Sequence, residues 1–404
     1  LSTDIASAIA WVPAGAWWCS PFVRWQGALA ELHSLKLAAW GSARAMARLG
    51  LDPAALDFGV LGFTVPQSGS FYGLPWVAAE LGAAHLPGPS IMQACATSAR
   101  CLQVAASEVA AGGAGAALVL ACDRVSNGPS LAWPRATAPG GQPETEHWVL
   151  DNFARDPWAQ VAMVETAENV AARWGIGRSE QDDVTLLRLG QYHAARARGW
   201  HARFMGDGFA VPDPRFGRTI ATLAGDDGIQ PVNEAKLRAL RPVRDGGSVT
   251  FGGQTHPADG HAGMIVAARD QARALAARPG IEIAITGFGT ARVERALMPA
   301  APVPAAARAL AMAGCSIADI DAVTSHNPFA VNDIVFARET GFALDAMNSN
   351  GCSLVFGHPQ GPTGLRCTIE LIETLIDRGG GRGLFQGCAA GDTAMALVVE
   401  VRDA

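Results

Sequence analysis

Four residues far apart in the chain have the types and settings that acyl transfer through a thiol would need. Cys95 lies in Gln93-Ala94-Cys95-Ala96-Thr97-Ser98, between a short β-rich run at Ser90–Met92 and helical spacing over Thr97–Ala111. The first-turn N–H groups and the positive end of the helix dipole would stabilise a thiolate there. Beside a base, that thiolate is a nucleophile suited to making and breaking a thioester. Most lone cysteines are instead small inert hydrophobes, so position alone does not decide the matter. His358 stands in the turn running from Asn348 to Gly364, which holds four glycines and two prolines and opens into a helix over Leu365–Asp377. An imidazole fixed on such a turn can take a proton from a thiol or donate to a developing oxyanion. Cys388 ends the apolar run Leu384–Cys388, whose hairpin partner reads as Ala394–Val401. A thiol at a strand end can move a proton to and from carbon, since its pKa is nearer neutrality than a serine hydroxyl's. His326 and Asn327 follow the strand Ala322–Ser325, and both can donate to a thioester oxygen, although Asn327 before Pro328 reads equally as a turn former. His256 and His261 form an H-x₄-H spacing in a Gly-rich loop, with no third ligand nearby in sequence to make a metal site.

The elements that must position these residues alternate β-rich runs with helical stretches, the pattern of a layered α/β fold. A helix is expected over Ala30–Leu49 and a strand near Phe58–Val65. Ala116–Ala121 is a continuous apolar run of the kind buried on both sheet faces. Val125–Gly247 mixes Pro, Gly, Asp and Trp irregularly, with helices expected at Val161–Trp174 and Ser179–Arg198. Ser179 with Asp182 resembles a capping box with Asp in the Glu/Gln place. Strand-like text resumes at Met264–Ala268 and Ile281–Thr286. Residues 1–124, completed by 248–274, thus read as one half, 125–247 as an insertion, and 275–404 as a second half.

An internal repeat supports the two halves. Ala43–Asp57 (ARAMARLGLDPAALD) and Ala307–Asp321 (ARALAMAGCSIADID) align without a gap at an offset of 264, with seven of fifteen positions identical. Adding 264 to Cys95 gives 359, one residue from His358. Duplicated halves packed about a pseudo-twofold axis would bring those two turns together.

Composition narrows the class. The hydrophobic fraction of 49 % and charged fraction of 17 % over 404 residues allow a large core. A net charge of −6 with no strong Lys/Arg run argues against nucleic acid as a partner. Eight cysteines spread singly, with no C-x-x-C pair, read as reduced thiols of a cytoplasmic protein. No apolar run is long enough for a membrane span, and Ile9–Trp18 is too interrupted for a signal-peptide core.

Taken together, these segments resemble the thiolase family over nearly the whole chain. Ser20-Pro-Phe with Trp25-Gln-Gly-Ala-Leu29 resembles the N-terminal strand and loop, and Gln93-Ala94-Cys95 the nucleophile turn. Glu165–Ala171 followed by Gly177–Asp182 resembles the helical insertion, Gly357-His358-Pro359 the histidine motif, and the Cys388 strand end the C-terminal cysteine motif. The resemblance implies a five-layered αβαβα fold of two similar halves, with an inserted loop domain that holds coenzyme A. It implies ping-pong chemistry, with Cys95 acylated, His358 as base and oxyanion donor, and Cys388 as the acid/base at carbon. The Cys95 and Cys388 backbone amides are candidates for a second oxyanion hole. It further implies acyl-CoA and CoA as substrates with no permanently bound cofactor, a homodimer or homotetramer, and a place in lipid metabolism such as fatty acid β-oxidation. The apolar run Ala116–Cys122, with few charges to solvate it, points the same way on association.

Three departures stand against that pattern. The Asn-Glu-Ala-Phe box is His326-Asn-Pro-Phe329 here, Ala390 replaces a usual glycine, and the Asn-Ala-Ser loop is Gly253-Gln-Thr255. The leading reading is a thiolase running either condensation of acyl-CoA or thiolytic cleavage of 3-oxoacyl-CoA. A ketosynthase-like enzyme using Cys95, His326 and His358 is one alternative, and a non-catalytic acyl-CoA-binding subunit the other.

Overall fold

Eleven strands build the main sheet: β1 (Ala10–Trp11), β2 (Trp17–Cys19), β3 (Val23–Arg24), β4 (Phe58–Gly62), β5 (Ser90–Ile91), β6 (Ala116–Arg124), β7 (Ala258–Ala267), β8 (Ile281–Arg292), β9 (Ala322–His326), β10 (Gly381–Ala389) and β11 (Thr393–Asp403). In the computed structural model, which describes residue 5 and residues 8–403, they join into one hydrogen-bonded ladder. The order across it is β9-β10-β11-β8-β1-β7-β6-β4-β5, with β2 and β3 beside β7. Short β1 is the seam between two half-sheets: Trp11 pairs with Ala267 of β7 on one side and with Ala284 of β8 on the other.

The main helices are α1 (Ser34–Leu49), α2 (Leu74–Leu81), α3 (Thr97–Ala110), α4 (Met163–Trp174), α5 (Arg178–Ala197), α6 (Pro302–Ala313), α7 (Ala330–Thr340) and α8 (Thr363–Asp377). Alternation along each strand sends neighbours into different cores. Leu61, Leu118 and Leu120 pack outward on Leu35, Met46, Leu74 and Val77 of α1 and α2. Val60 and Val119 point inward to Ala99, Leu102 and Ala106 of α3, in a core shared with Leu365 and Ile369 of α8 and with Phe385 and Leu397. Leu384 and Val398 face Ala305, Ala309 and Phe336 on the far side. Helix, sheet, helix, sheet and helix thus stack in five αβαβα layers, with α3 and α8 enclosed in the middle.

The repeat has a structural counterpart on both sides. α1 ends on Gly50 (φ 69°, ψ 22°) and α6 on Gly314 (φ 67°, ψ 31°), each left-handed, where a side chain would be strained. A single 3₁₀ turn follows in each case, Pro53–Ala55 and Ile317–Asp319, and then β4 or β9 begins. Even the last repeat residue keeps its job: the Asp57 carboxylate accepts from the amides of Gly115 and Ala116, and Asp321 from the amide of Arg382.

Most expected elements stand within a few residues of their expected ends, but two readings need correction. Residues 27–33 form turns, so α1 starts at Ser34 rather than Ala30. Ser179 does not cap its helix. The N-cap is Gly177 without a side-chain bond, and Asp182 accepts instead from Arg178 at 2.8 Å, a pairing one turn apart that removes it from the cap.

Between β6 and β7 the chain carries α4, α5 and two hairpins, Ser130–Trp133 with Glu144–His147 and Phe209–Pro212 with Thr219–Leu223. Buried ion pairs lock this segment to the second half. Arg366 of α8, fully buried, forks onto Asp226 at 2.6 and 2.7 Å, and the Tyr192 hydroxyl donates to the same carboxylate. Arg188 of α5 pairs with Asp333 of α7 at 2.9 Å, both fully buried.

Candidate active site

Cys95, His326 and Cys388 stand where a strand ends or gives way to a turn, and His358 stands on a turn behind the short helical segment Ser353–Phe356. Cys95 follows β5 directly ahead of α3. The preceding Ala94 adopts a left-handed φ of 45°, held by Thr97, whose hydroxyl donates to the Ala94 carbonyl at 2.7 Å and accepts from the Gln93 amide at 2.8 Å. His358 stands on the turn before α8, and its amide donates to the His256 carbonyl at 2.9 Å. The packing of α3 against α8 in the central layer brings the two turns together, and His358 Nε2 lies 3.1 Å from Cys95 Sγ across 263 residues.

The ring of His358 is fixed from behind. Its Nδ1 lies 2.7 Å from the Thr363 hydroxyl, so with Nε2 accepting from the thiol, Nδ1 carries the proton and donates to Thr363. His326, at the end of β9, stacks on His358 with ring centroids 4.0 Å apart. Its Nδ1 meets Ser353 Oγ at 2.9 Å, while its buried Nε2 finds no hydrogen-bond partner among the described residues. The ligand atoms of Cys95, His326 and His358 all lie within 4.8 Å of one another. Cys388, at the end of β10, accepts from Asn332 Nδ2 of α7 at 3.2 Å and is close enough to feel a charge on Cys95.

Burial keeps the resting site neutral. It pushes the Cys95 thiol up to about 12, opposed chiefly by the backbone amide of Ala390 and by its own amide. It lowers His326 to about 3, and His358 falls well below its ordinary value, from burial and then from the neighbouring His326. The Cys388 thiol is raised, first by burial and then by Cys95. Cys95 and His358 therefore rest as thiol and imidazole, with the proton transferred only once a substrate supplies charge to be stabilised.

Residues 18–270 match the thiolase N-terminal domain, and residues 281–401 the thiolase C-terminal domain. The chain belongs to the thiolase family. It is 29 % identical over 394 residues to the acetyl-CoA acetyltransferase of Paracoccus denitrificans, covering 94 % of this chain and 97 % of that one. It is 30 % identical over 317 residues to the acetyl-CoA acetyltransferase of Chromobacterium violaceum, covering 78 % and 80 %. The solved human mitochondrial 3-ketoacyl-CoA thiolase in complex with CoA shares the fold, with a TM-score of 0.88 at 24 % identity over 97 % of this chain and 98 % of that one. The protein is thus an acyltransferase of the thiolase type, and a ketosynthase-like or purely binding protein is not favoured.

Against this thiolase frame the departures acquire physical meaning. In the His326-Asn-Pro-Phe box, only His326 faces the sulfur. Asn327 is turned away, its Nδ2 donating to Asp333 and its Oδ1 accepting from the Leu354 amide, so it shapes the loop and cannot donate to a thioester. Ala390 does not remove its backbone donor: its amide reaches the Cys95 sulfur, two residues beyond the amide of Cys388 expected there. The Gly253-Gln-Thr255 loop is stitched to the box, since the Thr255 amide donates to the Pro328 carbonyl and the Ala330 amide to Gly253. His256 and His261 part company. His256 lines a broad cavity, whereas His261 lies fully buried above Gly41 with neither ring nitrogen hydrogen-bonded among the described residues.

That cavity, about 720 Å³, opens between the insertion and the two halves. Its wall includes Lys236 and Leu237 from the insertion, Phe251, His256 and Pro257 from the segment after it, and Leu354 and Val355 from the stretch just before His358.

Several residues of the site were not singled out from sequence. Thr363 could have been found by its place five residues past His358, at the start of the helix. Asn332 gives a weaker signal, as a polar residue in the first turn of α7. Asp123, at the end of β6, has none: its buried carboxylate accepts from the amides of Thr64, Val65 and Gly361, the last on the His358 turn.

Proposed function

We propose that Cys95 carries the acyl group of a reversible Claisen reaction between two acyl-CoA molecules. The observation behind this reading is the 3.1 Å approach of His358 Nε2 to Cys95 Sγ, with the Cys388 thiol adjoining the pair. His358 takes the thiol proton as Sγ attacks the thioester carbonyl, and returns it to the departing CoA sulfur. The first oxyanion lies within reach of the Ala390 and Cys95 amides. Ser353 Oγ already accepts from the Asn327 amide, so its own proton can go to His326 Nδ1, leaving His326 Nε2–H free to donate. Cys388 then removes a proton from the α-carbon of a second acyl-CoA, and the carbanion displaces Cys95 from the acyl-enzyme. Run backwards, the same steps cleave a 3-oxoacyl-CoA with CoA as the nucleophile.

The 720 Å³ cavity beside His358 is the natural place for the pantetheine arm and nucleotide. The insertion 125–247 then acts as a CoA-holding loop domain between half-molecules 1–124 with 248–274 and 275–404. The CoA complex of the human structural neighbour and the acetyl-CoA acetyltransferase relatives support this reading. No permanent cofactor enters the chemistry. We place the enzyme in the cytoplasm as a homo-oligomer, in keeping with eight unpaired thiols and with no described helix long and apolar enough to cross a membrane.

Incubation with acetyl-CoA followed by mass spectrometry of peptides should find the acyl group on Cys95. Stoichiometric acylation at another residue, or none, would overturn the reading.

A further inference from the structure

One buried carboxylate ties the first half, the insertion and the His358 turn together. Asp123, near the end of β6, is met among the described residues by neutral donors alone. Its Oδ1 accepts from the amides of Thr64 and Val65, each at 2.8 Å. Its Oδ2 accepts from the Thr64 hydroxyl at 2.9 Å and from the Gly361 amide at 2.8 Å. The Thr64 carbonyl accepts in turn from the indole of Trp148, in the insertion, at 2.8 Å. A charge buried with no cation beside it is costly unless hydrogen bonds replace its water, which is what these four donors do.

The bond to Gly361 matters most because of where it falls. His358 and Thr363, whose side chains meet at 2.7 Å, are joined by Pro359-Gln360-Gly361-Pro362. The two prolines have no N–H with which to anchor the turn. Gln360 stands at a left-handed φ of 64°, which persists in a residue other than glycine only where its surroundings hold it. On one side the His256 carbonyl fixes the His358 amide at 2.9 Å, and on the other Asp123 fixes the Gly361 amide. Gly361 admits the carboxylate because it lacks a side chain: a Cβ there would stand 2.7 Å from Asp123 Oδ2.

We propose that Asp123 is a positioning residue for the reaction, holding the His358 turn through the Gly361 amide so that Nε2 meets the Cys95 thiol in line for proton transfer. This rests on the acylation of Cys95 with His358 as its base. Asp123 acts through the turn and not on the reacting atoms. Burial is the main reason that Cys95 resists ionisation, and the Asp123 charge adds to it, so the reaction depends on a well-placed base. Between the depressed His358 and Cys95, pushed up to about 12, the resting site is imidazole and thiol. Acylation through a placed base is then flat in pH over that range. With the base displaced the thiolate must form first, and the rate should climb about tenfold per pH unit.

Two variants break the same bond from opposite sides. Asp123→Asn keeps an oxygen for Thr64 and Val65 but turns an NH₂ towards the Gly361 N–H, donor against donor. Gly361→Ala pushes the carboxylate away with its Cβ and leaves Asp123 in place. Single-turnover acylation by acetyl-CoA is followed from about pH 6.5 to 9.5, where the unaltered enzyme should be flat. Each variant should acylate about 10²-fold more slowly near neutrality, and its rate should rise with pH as that of His358→Ala does. The double variant should lose no more than the worse single, because both remove one contact. Profiles that stay flat at a lowered rate, or losses that multiply in the double variant, overturn the proposal. If either variant fails to fold, the pH profile of the other decides. An unaltered enzyme that takes no acyl group would overturn the acyl-enzyme itself, and this proposal with it.

Discussion

Asn332 and Ser353 set the two residues that most need distinguishing, Cys388 and His326, in different chemical positions. Replacing His326 by Ala removes a donor near the thioester oxygen, so acylation and steady-state turnover should both fall by roughly 10²–10³-fold. Cys388→Ala should lower condensation and thiolysis by roughly 10²–10⁴-fold while single-turnover acylation of Cys95 persists, because acylation moves no carbon-bound proton. Equal loss of both rates in Cys388→Ala would reduce it to a structural role at the strand end. The pH dependence of the free thiol follows from burial. With Cys95 pushed up to about 12, its alkylation by iodoacetamide should climb continuously from neutral to alkaline pH. A plateau reached below pH 7 would show a preformed thiolate–imidazolium pair instead. These four site residues were readable because each lies in a short motif, three of them at or just past a strand end and His358 on a Gly- and Pro-rich turn. Thr363, Ser353 and Asn332 were not, because what defines them is the group each meets after folding.

The elements carry their own strains and locks. His261 points from β7 into the packing of α1, over Gly41, where a Cβ would stand 2.3 Å from its ring nitrogen. Burial depresses it to about 3. Unfolded, it takes up a proton below about 6.5; folded, it does not until about 3. Its contribution to stability is therefore whole above pH about 6.5 and is lost as pH falls towards 3. Denaturant unfolding of His261→Leu should show a shallower acid limb and a gain of about 1–3 kcal/mol from removing unpaired polar atoms; a loss of stability would show that the imidazole is partnered in solution. The Arg366–Asp226 pair behaves oppositely. Asp226→Ala leaves a guanidinium buried in α8, so unfolding should cost about 3–5 kcal/mol less, measured the same way. Nothing in the sequence announced that pair. Asp226 sits in an irregular Gly-Asp-Asp-Gly stretch, and only the docking of the insertion tells it apart from Asp227, which pairs at the surface with Arg24.

At the scale of the whole molecule, the halves were legible through small residues. Ala305 and Ala309 of α6 lie directly over Gly289 and Gly287 of β8, where a Cβ would stand 1.9 and 2.3 Å from helix carbonyl oxygens, so the strand must carry glycine beneath this small-residue helix. The argument for association from Ala116–Cys122 fails, because that run is β6, enclosed between β4 and β7 in its own sheet. One edge of the sheet is β5, near exposed Met92 and the exposed Phe71 and Tyr72. Light scattering at micromolar concentration should give at least a dimer, and Met92→Asp or Phe71→Asp should shift it towards monomer; an unaltered assembly in both variants would move the contact elsewhere.

The seam at β1 has a thermodynamic consequence. Two residues of main chain are shared between half-sheets, and the amides of Ile9 and Val12 donate to carbonyls of Ile285 and Ile283. Neither half can melt without exposing the other's strand edge, so the pair should behave as one cooperative unit. Calorimetry should record a single endotherm, and amide exchange in β7 and β8 should slow to a common rate. Cutting the chain between β1 and β2 would uncouple them, turning one melting event into two.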